Sequence, residues 1–202
     1  ANLIAGSLIK NPGGGIARSG GYIAGDSDLI ERISYRVTTP GIGRDIGISF
    51  GTTREVLQGL YFAPHVTYEA MHTAILFASV YQGLGFSTTP MPHQERSDIV
   101  QMIRFGEPEA VCHFCEAVQQ AGSVDSHITP VPWDMPGYSD EVIMASGGFV
   151  EGSSIEVSAD GPLKPPYNVF YQGGLTADQG RLAVLLTVQR LLDQGLLDVS
   201  KF

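Results

Sequence analysis

Lys10 is the side chain best placed for covalent chemistry. It ends the apolar run of "GSLIKNPGGGIARSGG" and is followed at once by Asn, Pro and three glycines. A lysine in an apolar, glycine-lined site loses hydration, which favours the neutral amine. Such an amine can form a Schiff base with an aldehyde cofactor. Ser7 can aim a hydroxyl at the same site, and the glycines allow close backbone approach to an anion. Further along, Arg18 could supply a bidentate phosphate contact. The plainer alternative is a lysine that ends a strand and extends to solvent. The Gly-x-x-x-x-Gly-Lys-Ser order of a nucleotide loop is absent.

Other reactive types are less concentrated. Cys112 and Cys115 make a C-x-x-C around His113, but no second Cys pair supplies a zinc site. Val111, Phe114, Cys115 and Val118 form an apolar stripe at helical spacing, which places at least Cys115 in a core. His65 and His72 share a helix face without a carboxylate at ligand spacing, so packing or interface roles are expected. Trp133, Asp134 and Tyr138 lie in "WDMPGY", where substrate gating is conceivable and a structural plug by Trp133 is the plainer expectation. Tyr22, Tyr35 and Tyr61 are acid–base candidates, though a buried tyrosine with a satisfied hydroxyl is the commoner arrangement. No cluster of carboxylates suits a hard cation, and no metal is expected.

The elements that must position Lys10 alternate along the chain. "NLIAGSLI" and "GGYIAG" read as short strands, with the lysine turn between them. "DSDLIERISYRV" begins with capping residues and carries apolar residues near helical spacing. "GIGRDIGISFG" is punctuated by glycine and reads as a loop. A long helix runs from Thr53 to about Gly83, with Thr52 and Glu55 as a capping box and Pro64 as an expected kink. It carries more apolar residues than one face requires, which suits a subunit interface as well as a core. "GFSTTPMPHQERSDIVQMIRF" reads as strand, Pro-rich connection and strand. A helix follows, with Pro108 in its first turn and Gly122 past its end. After a long loop come the strand candidates "EVIMASGGFV", "SSIEVSA" and "PPYNVFYQGG". A final helix begins at Thr176, with Gln179 as box partner, and runs to about Gln194. The alternation indicates an α/β chain, divided at 1–84 and 85–202.

Composition excludes several classes. The 202 residues are 43% hydrophobic and 16% charged, too apolar for a disordered chain. A formal net charge of −9 argues against nucleic acid or an anionic membrane as partner. No apolar run reaches a membrane span, and no basic region with an apolar core and cleavage site opens the chain. The cytoplasm is therefore the expected location. The opening "ANLIAGSLIK" has no Met or polar lead-in and reads as the middle of a fold.

"SLIKN", with Arg18 beyond it, resembles the lysine segment of the aspartate-aminotransferase-like (fold type I) superfamily of pyridoxal-phosphate enzymes. More closely, the chain resembles the C-terminal half of the cystathionine-lyase-like family described as aluminium resistance or methionine gamma-lyase-related proteins. The matching stretches include "AGSLIKNPGGGIA", "YRVTTPGIG", "RSDIVQMIRFG", "VDSHITPVPWDMPGY", "VIMASGGFVEGSSIEVSADGPLKPPY" and "QGGLT". The resemblance implies the end of a PLP-binding large domain followed by a small C-terminal α/β domain. It implies that Lys10 carries pyridoxal 5'-phosphate as a Schiff base, with Ser7 and Arg18 as cofactor ligands. The implied function is carbon–sulfur bond cleavage in a sulfur-containing amino acid, by an enzyme working as a homodimer or homotetramer. Lys164, just before "PPYNVFYQ", lies where the superfamily often places its carboxylate-binding arginine. Arg96, Arg36 and Arg54 compete for that role. In the superfamily the acid facing the pyridine nitrogen, the stacking aromatic ring and the glycine-turn phosphate site precede the lysine. Residues 1–202 alone are thus not expected to complete the cofactor site, and the N-terminal half of the same enzyme is an expected partner. The alternatives are another reaction of the same cofactor, such as transamination or racemisation, or a non-catalytic assembly fragment.

Overall fold

The computed structural model describes residues 1–45, 49–146 and 155–198. The chain divides into two compact units, Ala1–His65 and Val66–Phe202.

In the first unit, β1 (Leu3–Ser7) and β2 (Gly21–Gly25) form an antiparallel pair in which Leu3 faces Gly25 and Ser7 faces Gly21. The tight pairing uses glycine where the partner is bulky: a Cβ on Gly6 would lie 2.7 Å from the Tyr22 ring. α1 (Ser27–Val37) starts where the sequence places it, with the Asp26 carboxylate accepting the amides of Asp28 and Leu29.

α2 (Thr53–Gly83) begins in the first unit and ends in the second, and its helical run is not interrupted at Pro64. The expected capping box does not form. Thr52 Oγ1 donates to the Ser49 carbonyl, and the Glu55 carboxylate is taken by Arg18. A guanidinium is a stronger partner for a carboxylate than one neutral amide.

The second unit is built on a five-stranded sheet in the order β3-β4-β7-β6-β5, comprising β3 (Ser87–Thr89), β4 (Gln101–Arg104), β5 (Val142–Ser146), β6 (Ser158–Pro162) and β7 (Asn168–Gln172). Every neighbouring pair is antiparallel. The α/β expectation thus resolves into a mixed fold with helices beside an antiparallel sheet. β6 starts later than the apolar pattern of "SSIEVSA" suggests and runs through Asp160-Gly161-Pro162. Packing decides this, because Gly161 sits where a Cβ would be 2.6 Å from Val111. Residues 153 and 154 of that expected strand, and 147–150 of the one before, lie outside the described residues.

α3 (Pro108–Gln120) lies along α4 (Ala177–Asp193) and against β5 and β6. Strand alternation sends Ile103, Val169, Tyr171, Ala159, Ile143 and Ala145 into the core, where they meet Phe77 and Tyr81 of α2 and Phe114 of α3. α4 begins at Thr176, whose hydroxyl accepts the Gln179 amide as the sequence predicts, and Glu69 caps the next amide at Ala177. Trp133 does not plug the fold. Its backbone bridges Val142, while the residue is 51% exposed.

Candidate active site

Lys10 stands at the head of a one-turn 3-10 helix, Asn11–Gly13, directly after β1. The turn closes on itself: the Lys10 carbonyl accepts the Gly13 amide at 2.8 Å, and the Asn11 carbonyl accepts Gly14 at 2.9 Å. Leu8 N–H donates to Gly20 O across its base at 2.9 Å. A Cβ on Gly13 would overlap the Leu8 carbonyl, and one on Gly14, at φ 60°, would overlap the Gly59 carbonyl of α2. The run of glycines therefore exists for backbone-to-backbone packing, which holds the Lys10 backbone in one place.

The Lys10 side chain is exposed. The dry, apolar setting expected for it is not supplied by the described residues. Beside it, the Asn11 side-chain nitrogen is buried and has no hydrogen-bond acceptor among the described residues. A buried donor without an acceptor is costly, and this one belongs to the residue that follows Lys10. Ser7 Oγ accepts the Ile9 amide at 3.3 Å. Arg18 is directed elsewhere: Nε and Nη2 grip the Glu55 carboxylate at 2.9 and 2.7 Å. A phosphate at Arg18 would have to displace that bidentate pair.

In the second unit, Arg96 is anchored through Nη2 to the side-chain oxygen of fully buried Gln101 at 2.5 Å. The Gln101 amide in turn donates to the carbonyls of Pro90 and Met102. Arg96 Nε and Nη1 are buried and have no partner among the described residues. Burial lowers the guanidinium pKa, and Asp98 opposes that shift. These two N–H groups point to different sides of the guanidinium, so each is a single donor; the Nε–Nη2 edge that grips a carboxylate bidentately, as in Arg18–Glu55, is shared with Gln101. Lys164 is exposed and lies 3.5 Å from Asp140, a solvated pair.

The remaining candidates recede. Cys115 is fully buried in the core, as expected, and burial, reinforced by nearby carboxylates, raises the thiol pKa of both cysteines, so neither is an activated nucleophile. His65 and His72 are exposed, and Tyr61 is 80% exposed. Tyr35 is exposed, and Tyr22 covers Gly6. Among the described residues no three His, Cys, Asp or Glu side chains gather as a metal site, and no helix is long and apolar enough to cross a membrane. An apolar cleft of about 520 Å³ lies between the hairpin and α1, walled by Tyr22, Ile23, Ile30, Ile33 and Val37. Sequence reasoning missed Gly59, whose only signal is a glycine inside a helix, and Gln101, a polar residue opening an apolar strand.

Comparison with known proteins places this geometry. The family model described as Methionine gamma-lyase matches residues 1–192. The chain belongs to the methionine gamma-lyase family. A carbon-sulfur lyase involved in aluminum resistance from Clostridium novyi NT is 47% identical, with a TM-score of 0.88 over 95% of this chain and 44% of its own. A candidate cystathionine beta-lyase involved in aluminum resistance from Listeria monocytogenes is 45% identical, with a TM-score of 0.90 over 94% of this chain and 47% of its own. The uncharacterized protein YnbB of Bacillus subtilis is 46% identical over 197 residues, 98% of this chain and 47% of that protein. The chain thus spans about half the length of these relatives.

Proposed function

We propose that this chain carries the reactive lysine of a pyridoxal 5'-phosphate-dependent carbon–sulfur lyase acting on a sulfur-containing amino acid. The observation that carries the reading is the Lys10 turn: an amine on a backbone fixed by glycine packing, followed in sequence by Asn11, whose buried side-chain nitrogen has no acceptor among the described residues. Family membership and the names of the similar structures support the reaction class.

The residues fit such a cofactor at Lys10 and Asn11, and less well at Arg18, whose fork holds Glu55. When bound, the cofactor supplies an electron sink for the bond-breaking step. Lys10 Nζ would hold the cofactor and, when free of it, would take the proton from the substrate α-carbon. Asn11 Nδ2 donates to a ligand oxygen. Arg96 offers Nε–H, which has no acceptor among the described residues, to a substrate carboxylate, in competition with the solvated Lys164. Enclosure of Lys10 from water falls to parts of the enzyme beyond residues 1–202, in a homodimer or homotetramer.

The test is borohydride reduction after addition of pyridoxal 5'-phosphate to this chain assembled with the N-terminal half of the enzyme. A near-visible absorbance band that borohydride bleaches, a peptide map with the added mass on Lys10, and loss of both in Lys10→Ala are expected. Modification spread over exposed lysines, unchanged in Lys10→Ala, would falsify the reading. That outcome would favour a non-catalytic assembly role, to which the exposure of Lys10 is also suited. Ketoacid, ammonia and thiol release from cystathionine, cysteine and methionine separates lyase chemistry from transamination or racemisation.

A further inference from the structure

One face of the five-stranded sheet is covered by helices, and the other is open. Ile103, Val169, Ala159 and Ile143 point into the core, and Val111 of α3 packs onto Gly161 from that side. Strand alternation sends the residues between them to the opposite face. There the register sets Met102 opposite Phe170, Phe170 opposite Asp160 and Asp160 opposite Met144, one row across β4, β7, β6 and β5. Directly opposed side chains stand about 5 Å apart, which makes the row a continuous surface. Trp133 extends it, because its backbone pairs with Val142, two residues before Met144 on the same face. Trp133, Met144 and Phe170 are exposed, and Met102 is half-buried.

The row is apolar except at Asp160. This residue is half-buried between Phe170 and Met144, and its carboxylate has no ion pair or hydrogen-bond donor among the described residues. Burial raises its pKa with no opposing contribution, as expected of a carboxylate without a cation. Arg104, two residues beyond Met102 on the same face, is turned to Asn168 at 3.4 Å, and Lys164 lies with Asp140. Aromatic and methionine side chains around one unneutralised charge have the composition of a protein interface. The chain spans only 44% and 47% of two similar solved proteins, so further polypeptide is available to cover the row. A second copy seated by the same patch would instead bring two unpaired carboxylates together, on chains that each carry a formal net charge of −9.

We propose that the open sheet face around Asp160 docks the N-terminal half of the enzyme, through an apolar surface that carries one lysine or arginine directed at the Asp160 carboxylate. Trp133, Met144 and Phe170 supply the apolar contact, and the cation sets the register of the two surfaces. The inference rests on the reading that this chain works within a longer enzyme, and it makes no use of Lys10 or of a cofactor.

Isothermal titration calorimetry of this chain with the N-terminal half, without pyridoxal 5'-phosphate, tests it. Asp160→Asn is expected to weaken assembly about tenfold or more, the usual size of a hydrogen bond between charged groups. Trp133→Ala is expected to weaken it by a similar factor, as loss of an aromatic anchor does. Leu185→Ala, exposed on α4, should leave it unchanged. Urea unfolding of each isolated variant guards against misfolding, and Asp160→Asn should show weaker assembly without a loss of stability. A photo-crosslinker in place of Phe170 should attach to the N-terminal half, at a segment containing lysine or arginine. Parent-like assembly of Asp160→Asn, no association of the halves, or crosslinking to a copy of this chain overturns the proposal. Borohydride labelling of Lys10 in the same samples, after cofactor is added, reads the proposed function separately. Labelled Lys10 with an indifferent Asp160→Asn overturns the docking surface alone, whereas weakened assembly of Asp160→Asn with unlabelled Lys10 overturns the cofactor reading alone.

Discussion

Gly14, four residues after Lys10, lies against Gly59 of α2 so closely that a Cβ on Gly14 would overlap the Gly59 carbonyl, and a Cβ on Gly59 would overlap Gly13. The lysine turn and the helix therefore meet as bare backbone. This contact fixes where Lys10 begins, and it explains a glycine placed in the middle of a helix at a cost in helix propensity.

Gly59→Ala should force the turn off the helix and destabilise the chain by about 1–3 kcal/mol, the usual range for overpacking. Gly83→Ala at the end of the same helix, where a Cβ meets nothing within 4 Å, should instead stabilise by about 0.5–1 kcal/mol. Urea midpoints of the two variants should move in opposite directions. A shared direction would show that helix propensity, not backbone contact, governs both sites.

Arg18 and Glu55 form a bidentate pair with side chains 60% and 30% exposed. Solvent screening limits such a pair, so Arg18→Ala should cost no more than about 1 kcal/mol, and less in high salt. If Arg18 also binds phosphate, the variant loses affinity for pyridoxal 5'-phosphate well beyond that small stability change. Thermal unfolding with and without the cofactor reads both quantities.

Periodicity and turn chemistry made most elements legible: the hairpin around Lys10, the helix capped by Asp26, the extent of α2 and the start of α4 at Thr176 all follow from local residues. What local reasoning could not reach was set by distant partners. Glu55 has the right spacing for a capping box with Thr52 but meets Arg18, which lies 37 residues away. The strand expected over "SSIEVSA" instead runs from Ser158 to Pro162, where Val111 of α3 packs onto Gly161. The site follows the same division. Lys10 stands out from its flanking glycines, whereas the merit of Arg96 depends on Gln101 and on which of its N–H groups remain unpaired.

Gln119 illustrates a buried polar group that is fully used. Its side-chain nitrogen donates to the carbonyls of Asp125 and Ser146 at 2.9 and 2.7 Å, and its oxygen accepts the Ser146 amide at 2.8 Å. Gln119→Leu keeps the apolar stem and strands those backbone groups, each at about 1–3 kcal/mol. A loss of roughly 3 kcal/mol or more by urea unfolding is expected. A loss below about 1 kcal/mol would mean that water replaces the amide at no cost.

Asp160 sits on β6 between Met144 and Phe170, and burial raises its carboxyl pKa above the ordinary value. The unfolded chain then releases this proton at about pH 3.9, earlier than the folded chain does. Between those two points the folded state binds more protons, so stability falls as pH rises, and the loss persists at neutral pH. Asp160→Asn keeps the shape and removes the charge. The variant should be more stable than the parent at pH 7, with the gap narrowing as pH falls toward 4. Urea unfolding of both proteins across that range provides the measurement. A gap that widens toward acid would reverse the sign and show that the folded state favours the ionised carboxylate.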